Sequence, residues 1–414
     1  MTPRLDILRC KSYEELKTNL SAALEKYTDL LPKARDARIL LKPNLNSNMS
    51  ALTGNTTDLR ILSVVIQFLQ AKGYKNILIG EGTNSGFYRN KIGVISRLAV
   101  DRLVQHFGIA VKDLNYAEPY EIEFENGVKA QVAKDCIDAD LFINMPKLKT
   151  HFEIGMSVCL KNLMGCLVGQ PNKKKTHEDL AGNILNINKA VKPHLHIVDG
   201  LIAMEGLGPT RGTPVRMDLV LVGTDPYLID LVCAKLADFD YRKVRTLARA
   251  EEQKLLTPEH HKFADSLDLQ ELRRSFKPPT AGPLATFIHS PKRQKYFLKI
   301  RNTKFFTYLA STRWFGHLLF LTGLRQDVFL FEEMNCDGLS LNESSCDQCG
   351  FCKGVCPLGF GLPDHLKKTD RKCIHCLYCY SVCPRHAIQF KGQFGFFKEQ
   401  LKQYDHLIRG LFNK

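Results

Sequence analysis

The first 255 residues alternate between short apolar runs and longer runs with apolar positions every three or four residues. The short runs predict buried strands, and the longer runs predict amphipathic helices. We predict strands at 38–42, 76–79, 139–145, 194–198 and 219–222, and helices at 12–31, 58–71, 94–107 and 225–236. Because parallel strands need helical connections, this alternation predicts an α/β domain with a largely parallel sheet.

Local signals agree with this pattern. Ser12 and Glu15 have the spacing of a capping box at a helix N-terminus. Gly73 follows the second predicted helix as a C-terminal stop. Asn126 and Gly127 lie between two extended segments and predict a β-hairpin.

The formal net charge of +15 is concentrated in one stretch. Residues 272–326 contain eleven Lys and Arg residues and no Asp or Glu, with aromatic residues interleaved. We expect this stretch to lie in a helical connector at 256–335. It could be a structural arm that packs on acidic faces of the same chain, or it could contact an anionic membrane surface. Nucleic-acid binding is the least favoured of the three interpretations.

The cysteines and the N-terminus bear on the cellular compartment. Disulfide frameworks are typical of small secreted chains, whereas the N-terminal part here is large enough to bury its own core. Residues 1–6 lack the basic and apolar run of a signal peptide, so we expect a cytoplasmic protein. The best candidate for a bilayer span, residues 314–324, is shorter than the roughly 20 residues that a span needs. Any membrane contact would therefore be peripheral.

Two copies of one cysteine pattern lie at 346–357 and 373–384, with 27 residues between their starts. Each reads C-x2-C-x2-C-x3-C-P, in which three cysteines hold one cluster and the fourth ligates the other. The pattern predicts two [4Fe–4S] clusters. The first ligand set is Cys346, Cys349, Cys352 and Cys383, and the second is Cys356, Cys373, Cys376 and Cys379. Paired CxxC motifs also suit zinc, but three cysteines followed by Cys-Pro is not a zinc-finger pattern.

Residues 336–392 resemble bacterial-type two-cluster ferredoxins at all eight ligand positions. Free ferredoxins of this type are usually acidic. From Asp337 to Lys391, however, five acidic residues accompany seven basic ones. This near-neutral balance favours an electron relay that serves its own chain, although a basic surface could also dock an acidic ferredoxin-like redox partner. Residues 393–414 form an amphipathic tail.

Charged residues also follow the ends of several predicted strands in the N-terminal domain, 1–255. In a parallel sheet such loops meet at one edge, where we expect a crevice for an anionic small molecule such as a phosphate or carboxylate. His151, Lys147 and Glu81 are the candidate catalytic residues because they could transfer protons. The candidate ligand-binding residues are Lys42, Asn44, Lys149, Asp199 and Glu205.

Each of these residues also has a simpler interpretation. A lysine after a strand is often a solvated loop charge, and His151 could pair with a neighbouring carboxylate. The glycine-containing turn at 80–86 matches neither the dinucleotide-binding pattern nor the P-loop. The convergence of several loops is therefore the stronger argument for a site.

Four segments of this domain carry a resemblance to a known family. They are Lys42-Pro-Asn, Asn144-Met-Pro-Lys-Leu-Lys-Thr-His, Lys161-Asn-Leu-Met-Gly and the segment 198–209. Over about residues 35–250 the chain resembles the domain of unknown function 362 family. Its members are often fused to a two-cluster ferredoxin module, so the resemblance implies this architecture and the position of a site. It implies no substrate.

Two functions fit these observations. The chain could be an oxidoreductase that relays electrons from its clusters to an anionic substrate or cofactor in the N-terminal crevice. Alternatively, it could be a non-catalytic electron-transfer or maturation protein that docks a partner. The sequence shows no flavin or nicotinamide fingerprint. Binding of a small anion by the anaerobic protein would distinguish the two.

Overall fold

Strands and helices alternate through the N-terminal unit, as the hydrophobic pattern predicts. The computed structural model describes residues 4–83, 93–279, 300, 303–312, 314–315, 318–319, 335–367, 372–393 and 397–412. The strands are β1 (Leu5–Arg9), β2 (Ile39–Pro43), β3 (Ile77–Glu81), β4 (Ala110–Asp113), β5 (Pro119–Glu123), β6 (Lys129–Ala133), β7 (Leu141–Met145), β8 (Lys147–His151), β9 (Gly155–Ser157), β10 (Leu195–Glu205), β11 (Thr213–Gly223), β12 (Asn335–Leu341) and β13 (Ile388–Gln393).

The helices flank these strands in chain order. They are α1 (Tyr13–Glu25), α2 (Leu59–Ala71), α3 (Val94–Arg97), α4 (Val100–Phe107), α5 (Lys134–Asp138), α6 (Cys159–Asn162), α7 (Gly169–Thr176), α8 (Leu180–Ala190), α9 (Pro226–Leu236), α10 (Arg245–Glu252), α11 (Pro258–Ser266), α12 (Lys304–Ser311), α13 (Phe351–Gly354), α14 (Tyr378–Val382) and α15 (Phe397–Phe412). No helix in the described part of the chain combines the length and hydropathy that a bilayer span requires.

The large sheet is mixed but mostly parallel. Its strand order is β1-β11-β10-β7-β2-β3-β4, and β8 and β9 extend it from β10. The pairs from β10 through β4 are parallel, whereas β11 is antiparallel to both β1 and β10. The predicted α/β unit is therefore confirmed. The carboxyl ends of its parallel strands meet at one edge, as the site prediction requires.

Side-chain caps begin several helices of this unit. Ser12 accepts a hydrogen bond from the Glu15 amide at 3.2 Å, as the capping-box pattern predicts. Asp58 caps α2 by accepting from the Arg60 amide at 2.8 Å. Asp225 caps α9, and Pro226 takes its first position, where no backbone donor is needed.

Two predicted helices differ from the observed ones. The helix predicted at 12–31 ends at Glu25, after which Tyr27 turns inward and donates to the Val222 carbonyl at 3.0 Å. The helix predicted at 94–107 divides into α3 and α4, because Ala99 has a left-handed backbone (φ 61°). The predicted turn at 80–86 is described only as far as Thr83, and its remainder lies outside the described residues.

The expectation that residues 147–151 form a loop is wrong, because they form the buried strand β8. Pro146 has no N–H to donate and separates β8 from β7. The chain then pairs with the second half of β10, where Lys147 lies opposite Asp199. Asp199 and Glu205 likewise lie within β10 and not in loops beyond it.

The cysteine-rich module packs directly on the N-terminal unit. Its two strands, β12 and β13, pair antiparallel. Ile374, Tyr378 and Val382 of the module join the apolar core formed by α1, α2 and one face of the sheet. Ile408 and Phe412 of α15 enter the same core, so the C-terminal tail fastens the module to the sheet unit. Burial of these side chains is the main attraction between the two parts.

Candidate functional site

The module brings the second ligand set together. Cys356, Cys373, Cys376 and Cys379 line one small apolar cavity, together with leucine and aromatic side chains. The cysteine that ends the first motif therefore lies with the first three cysteines of the second motif. This crossing is the arrangement that the spacing predicts.

The first ligand set shows the reciprocal crossing. Electrostatic interactions connect Cys352 with Cys346, Cys349 and Cys383. The four donors of this set are all soft sulfur atoms, which suit iron–sulfur clusters. Cys349 is exposed, whereas Cys352 and Cys383 are buried.

The backbone has the same shape in both motifs. Gln348 and Gly350 flank Cys349 with positive φ angles of 57° and 79°, and His375 and Leu377 flank Cys376 with 48° and 65°. Such left-handed residues turn successive backbone N–H groups toward one concave side, which favours a bound anion. The sulfur donors and this backbone fit [4Fe–4S] clusters of net negative charge.

Arg60 and Tyr378 connect the module to helix α2. The Arg60 guanidinium donates to the Gly354 carbonyl at 3.1 Å and is paired with Asp58 at 2.8 Å. Tyr378 lies between Cys376 and Cys379 in the sequence, and its hydroxyl accepts a hydrogen bond from the Leu59 amide at 3.3 Å. All of these contacts are buried or nearly so. They place the second ligand set beside the N-terminus of α2.

A second buried ion pair continues from Asp58 into the sheet. The Asp199 carboxylate accepts from the Lys147 ammonium at 2.8 Å and from the Asp58 amide at 2.7 Å. Burial raises the pKa of Asp199, against the pull of Lys147, whereas Asp58 keeps a lowered pKa because the Arg60 guanidinium outweighs its burial. Lys147 is thus a partner of Asp199, and this pair bridges β8 and β10.

Lys42 and Glu81 form another buried pair, on neighbouring strands β2 and β3. Their ammonium and carboxylate are 2.7 Å apart. A Cβ atom on Gly165 would lie 1.9 Å from the Glu81 carboxylate and 2.7 Å from the Lys42 ammonium. A side chain at position 165 would therefore displace this pair. Burial raises the pKa of Glu81 although Lys42 opposes the shift.

Three further lysines surround this pair. Lys149 donates to Asn44 at 2.9 Å and to the Asn55 carbonyl at 2.7 Å. Lys173 donates to the carbonyls of Gly82 and Thr83 at 3.0 and 2.9 Å. No hydrogen-bond partner of the Lys161 ammonium lies among the described residues. We call Lys42, Lys149, Lys161 and Lys173, together with Glu81, the lysine site.

The charges of the lysine site do not balance. Burial, together with neighbouring lysines, lowers the pKa of Lys149 well below its usual range. Burial lowers the pKa of Lys161 to about 8, although Glu153 and Glu81 raise it, and lowers that of Lys173 to about 8, although Glu81 and Asp113 raise it. The lysines outnumber these acidic groups, and a bound anion would compensate the positive charge that is left.

His151 and Glu205 lie at the margin of this arrangement. The His151 Nδ1 atom accepts from the Glu153 amide at 3.1 Å, and burial near Lys161 lowers its pKa well below its usual range. Glu205 accepts from the Lys277 amide at 2.9 Å, at the point where the chain leaves the first unit. Glu205 thus pairs with Lys277, and its candidate role in ligand binding stays a prediction.

The sequence interpretation missed Lys161, Lys173 and Gly165 as site residues. Lys161 and Gly165 are the ends of a segment whose sequence indicates only the family resemblance. Lys173 belongs to a run of three lysines, which looks like the solvated face of a helix. Its hydrogen-bond acceptors belong to Gly82, Thr83 and Asn115, which are distant in sequence, so no local signal identifies Lys173 as a site residue.

Both parts of the chain are similar to known protein families. The domain of unknown function DUF362 matches residues 39–235, and a 4Fe-4S binding domain matches residues 368–389. The thylakoid-associated protein sll1697 of Synechocystis sp. is 30% identical over 274 residues, which cover 62% of this chain and 81% of that protein. The chain belongs to the DUF362 family. This DUF362 protein is thus fused to a ferredoxin-type module, as its motifs predicted.

A solved structure is also similar to part of this DUF362 protein. The lactate racemase apoprotein of Thermoanaerobacterium thermosaccharolyticum aligns with a TM-score of 0.40 and 15% identity. The alignment covers 56% of this chain and 57% of that one. At this level of similarity we draw no functional argument from it.

Proposed function

We propose that this DUF362 protein is an iron–sulfur oxidoreductase that passes electrons from a ferredoxin-like donor to an anionic molecule at the lysine site. Each of two [4Fe–4S] clusters, when bound by its four cysteines, supplies one-electron transfer at low potential. The main support is a buried chain of contacts that runs from the module, at the Gly354 carbonyl, through Arg60 and Asp58 to Asp199 and Lys147. Lys147 lies on β8, the strand that also carries Lys149 of the lysine site. A carrier that only exchanged electrons with partners would not need this chain of contacts.

The lysine site suits a phosphate or carboxylate group. Buried ammonium groups are stable when anions pair with them, and Glu81 is already paired with Lys42. Lys161 is the best placed to meet a ligand, since its ammonium has no partner among the described residues. Lys149 is held between Asn44 and Asn55 and would add a second nitrogen in a fixed position.

Glu81 and His151 are the candidates for moving protons. A two-electron reduction uses two one-electron donors in turn, and the acceptor takes up protons with the electrons. The raised pKa of Glu81 allows its carboxyl group to hold a proton that it can give up. His151 has a lowered pKa and would act as a neutral hydrogen-bonding group near the ligand.

Electron entry is proposed at Cys349. This cysteine is exposed and borders a cavity of about 260 Å³ that also has Lys11, Arg60 and Arg216 in its lining. Arg60 and Arg216 are paired with Asp58 and Asp218, so Lys11 is the charge that would attract an acidic donor such as a ferredoxin. We propose a reducing, cytoplasmic setting, which the buried free thiols outside the module support: Cys10, Cys136, Cys159, Cys166 and Cys233.

Anaerobic reoxidation tests this function. The purified protein is analysed for iron and sulfide, reduced, and mixed with small phosphates and carboxylates that can accept electrons, while the cluster EPR signal is followed. We expect one such anion to reoxidise the wild type, and Lys149→Met with Lys161→Met to remove this effect without loss of iron. The exposed Lys134→Met is the matched control.

Two results would reject the proposal. Reducible clusters that no tested anion reoxidises, but that a protein partner does, would favour the alternative of an electron-transfer or maturation protein. Zinc in place of iron would remove the redox function altogether.

A further inference from the structure

Five large apolar side chains between residues 300 and 319 lie in solvent. Phe305 is 74% exposed, Tyr308 71% and Trp314 67%, and Ile300 and Leu318 are exposed as well. Single exposed apolar residues are common on soluble proteins, but a concentration of them marks an interaction surface. We call Ile300, Phe305, Tyr308, Trp314 and Leu318 the aromatic patch.

The patch has a defined local structure. Thr303 caps α12 by accepting from the Phe306 amide at 3.2 Å. Phe305 and Tyr308 are three residues apart on this helix and therefore share a face. Phe306 contacts the ring of Phe315 with a centroid distance of 6.0 Å, so the half-buried rings pack on each other. This contact joins α12 to the segment that carries Trp314.

The sequence on either side of the patch is basic. Residues 272–326 contain eleven Lys and Arg residues and no acidic residue. If this stretch were an arm that packed on acidic faces of its own chain, its rings would be covered. The exposure of Phe305 and Trp314 argues against that interpretation. The surface instead suits a partner that is both anionic and able to accept apolar groups.

We propose that the aromatic patch docks this protein on an anionic lipid bilayer, with its rings at the headgroup level and its Lys and Arg residues beside the lipid phosphates. Aromatic rings are favoured at this depth, and basic residues add electrostatic attraction. Nucleic acid would also attract the charge and stack on rings. It would offer nothing to Ile300 and Leu318, however, which have no π-face. This inference is independent of the proposed function.

Trp314 provides a direct test because it is the only tryptophan in the chain. The full protein with its clusters is titrated with vesicles of phosphatidylcholine, with or without phosphatidylglycerol, and with a single-stranded oligonucleotide. We expect a blue shift of the Trp314 emission and its quenching by brominated lipid with the anionic vesicles only. Flotation should persist in part at high salt, which screens charges but not apolar contacts.

Variants separate the patch from general charge. Phe305→Ser with Tyr308→Ser should lower the vesicle partition coefficient at least about tenfold and leave Trp314 available as the reporter. Tyr116→Ser with Tyr120→Ser, which removes two exposed rings elsewhere, should leave it unchanged. The proposal is overturned if the Trp314 emission does not shift with anionic vesicles. Equal binding to both vesicle types, or a response to the oligonucleotide alone, would overturn it as well.

Discussion

The guanidinium of Arg60 donates to the Gly354 carbonyl at 3.1 Å and so connects the sheet unit with the cysteine-rich module. Its other nitrogen atoms hold both oxygens of Asp58. Because Arg60 and Asp58 are buried, neither can exchange its partner for water. The two parts of the chain therefore share one buried ion pair, which ties the stability of the module interface to α2.

Replacement of Arg60 by methionine should destabilise the protein strongly. The change keeps much of the side-chain volume but leaves the Asp58 carboxylate buried without its cation, which costs about 3–5 kcal/mol. Anaerobic urea unfolding measures this loss. Adding Asp58→Asn should restore part of the free energy of unfolding, since the uncompensated charge is then gone.

The exposed pair of Arg385 and Asp347, 3.3 Å apart, provides the control for this experiment. Arg385→Met should cost no more than about 1 kcal/mol, because water screens exposed pairs. A loss of similar size for Arg60→Met would show that the buried pair does not hold the interface.

The crossed ligand sets predict which double variants keep iron. Cys383→Ser and Cys349→Ser belong to the same set, so the double variant should still hold one cluster, or about four iron atoms in place of about eight. Cys383→Ser with Cys376→Ser removes a ligand from each set and should leave little iron. Iron and sulfide analysis with EPR distinguishes the two.

If each motif held its own cluster, the iron contents of the two double variants would be exchanged. The pair Cys383→Ser and Cys376→Ser, both in the second motif, would then keep one cluster. Wild-type chain prepared in parallel provides the reference for full occupancy, and a reference value near four iron atoms would contradict the count of two clusters.

Periodicity predicted most of the sheet because its strands are short apolar runs between amphipathic helices. Strand β8 was not predicted, because a short segment that contains Lys147 and Lys149 looks like a solvated polar loop. Both lysines are buried because they have hydrogen-bond partners far away in sequence, Asp199 and Asn44. Regular cysteine spacing, in contrast, needs no tertiary information, so the ligand sets could be predicted from the sequence alone.

The lysine site should not tolerate a methyl group at Gly165. A Cβ there would lie 1.9 Å from a Glu81 oxygen, and Glu81 cannot move freely because Lys42 holds it. We expect Gly165→Ala to lower the free energy of unfolding by about 1–3 kcal/mol and to weaken the binding of sulfate, measured by calorimetry.

Gly93→Ala is the matched control, because the nearest atom to its added methyl group lies 3.6 Å away, on Ser96. That variant should bind sulfate like the wild type. If Gly165→Ala bound sulfate as tightly as the wild type, the Lys42–Glu81 pair would not be part of the anion site.

The lowered pKa values of Lys161 and Lys173 predict a pH limit for anion binding. Sulfate keeps its charge across the neutral and alkaline range, so any pH dependence comes from the protein. Burial lowers the pKa of both lysines to about 8, from the usual 10.5 of a lysine in water. As the pH rises through about 8, each ammonium becomes a neutral amine and its attraction for sulfate is lost. The affinity should then fall about tenfold per pH unit for each lysine that loses its proton.

Lys161→Arg identifies the contribution of one lysine to this fall. A guanidinium stays protonated throughout the range, so the variant should lose affinity less steeply than the wild type. His151→Gln should leave the profile unchanged, because burial keeps the pKa of His151 well below its usual range and the ring is already neutral. Calorimetric titrations between about pH 7 and pH 9.5 cover the transition. A flat profile in the wild type would mean that neither lysine meets the anion, and the ligand would then have to bind elsewhere.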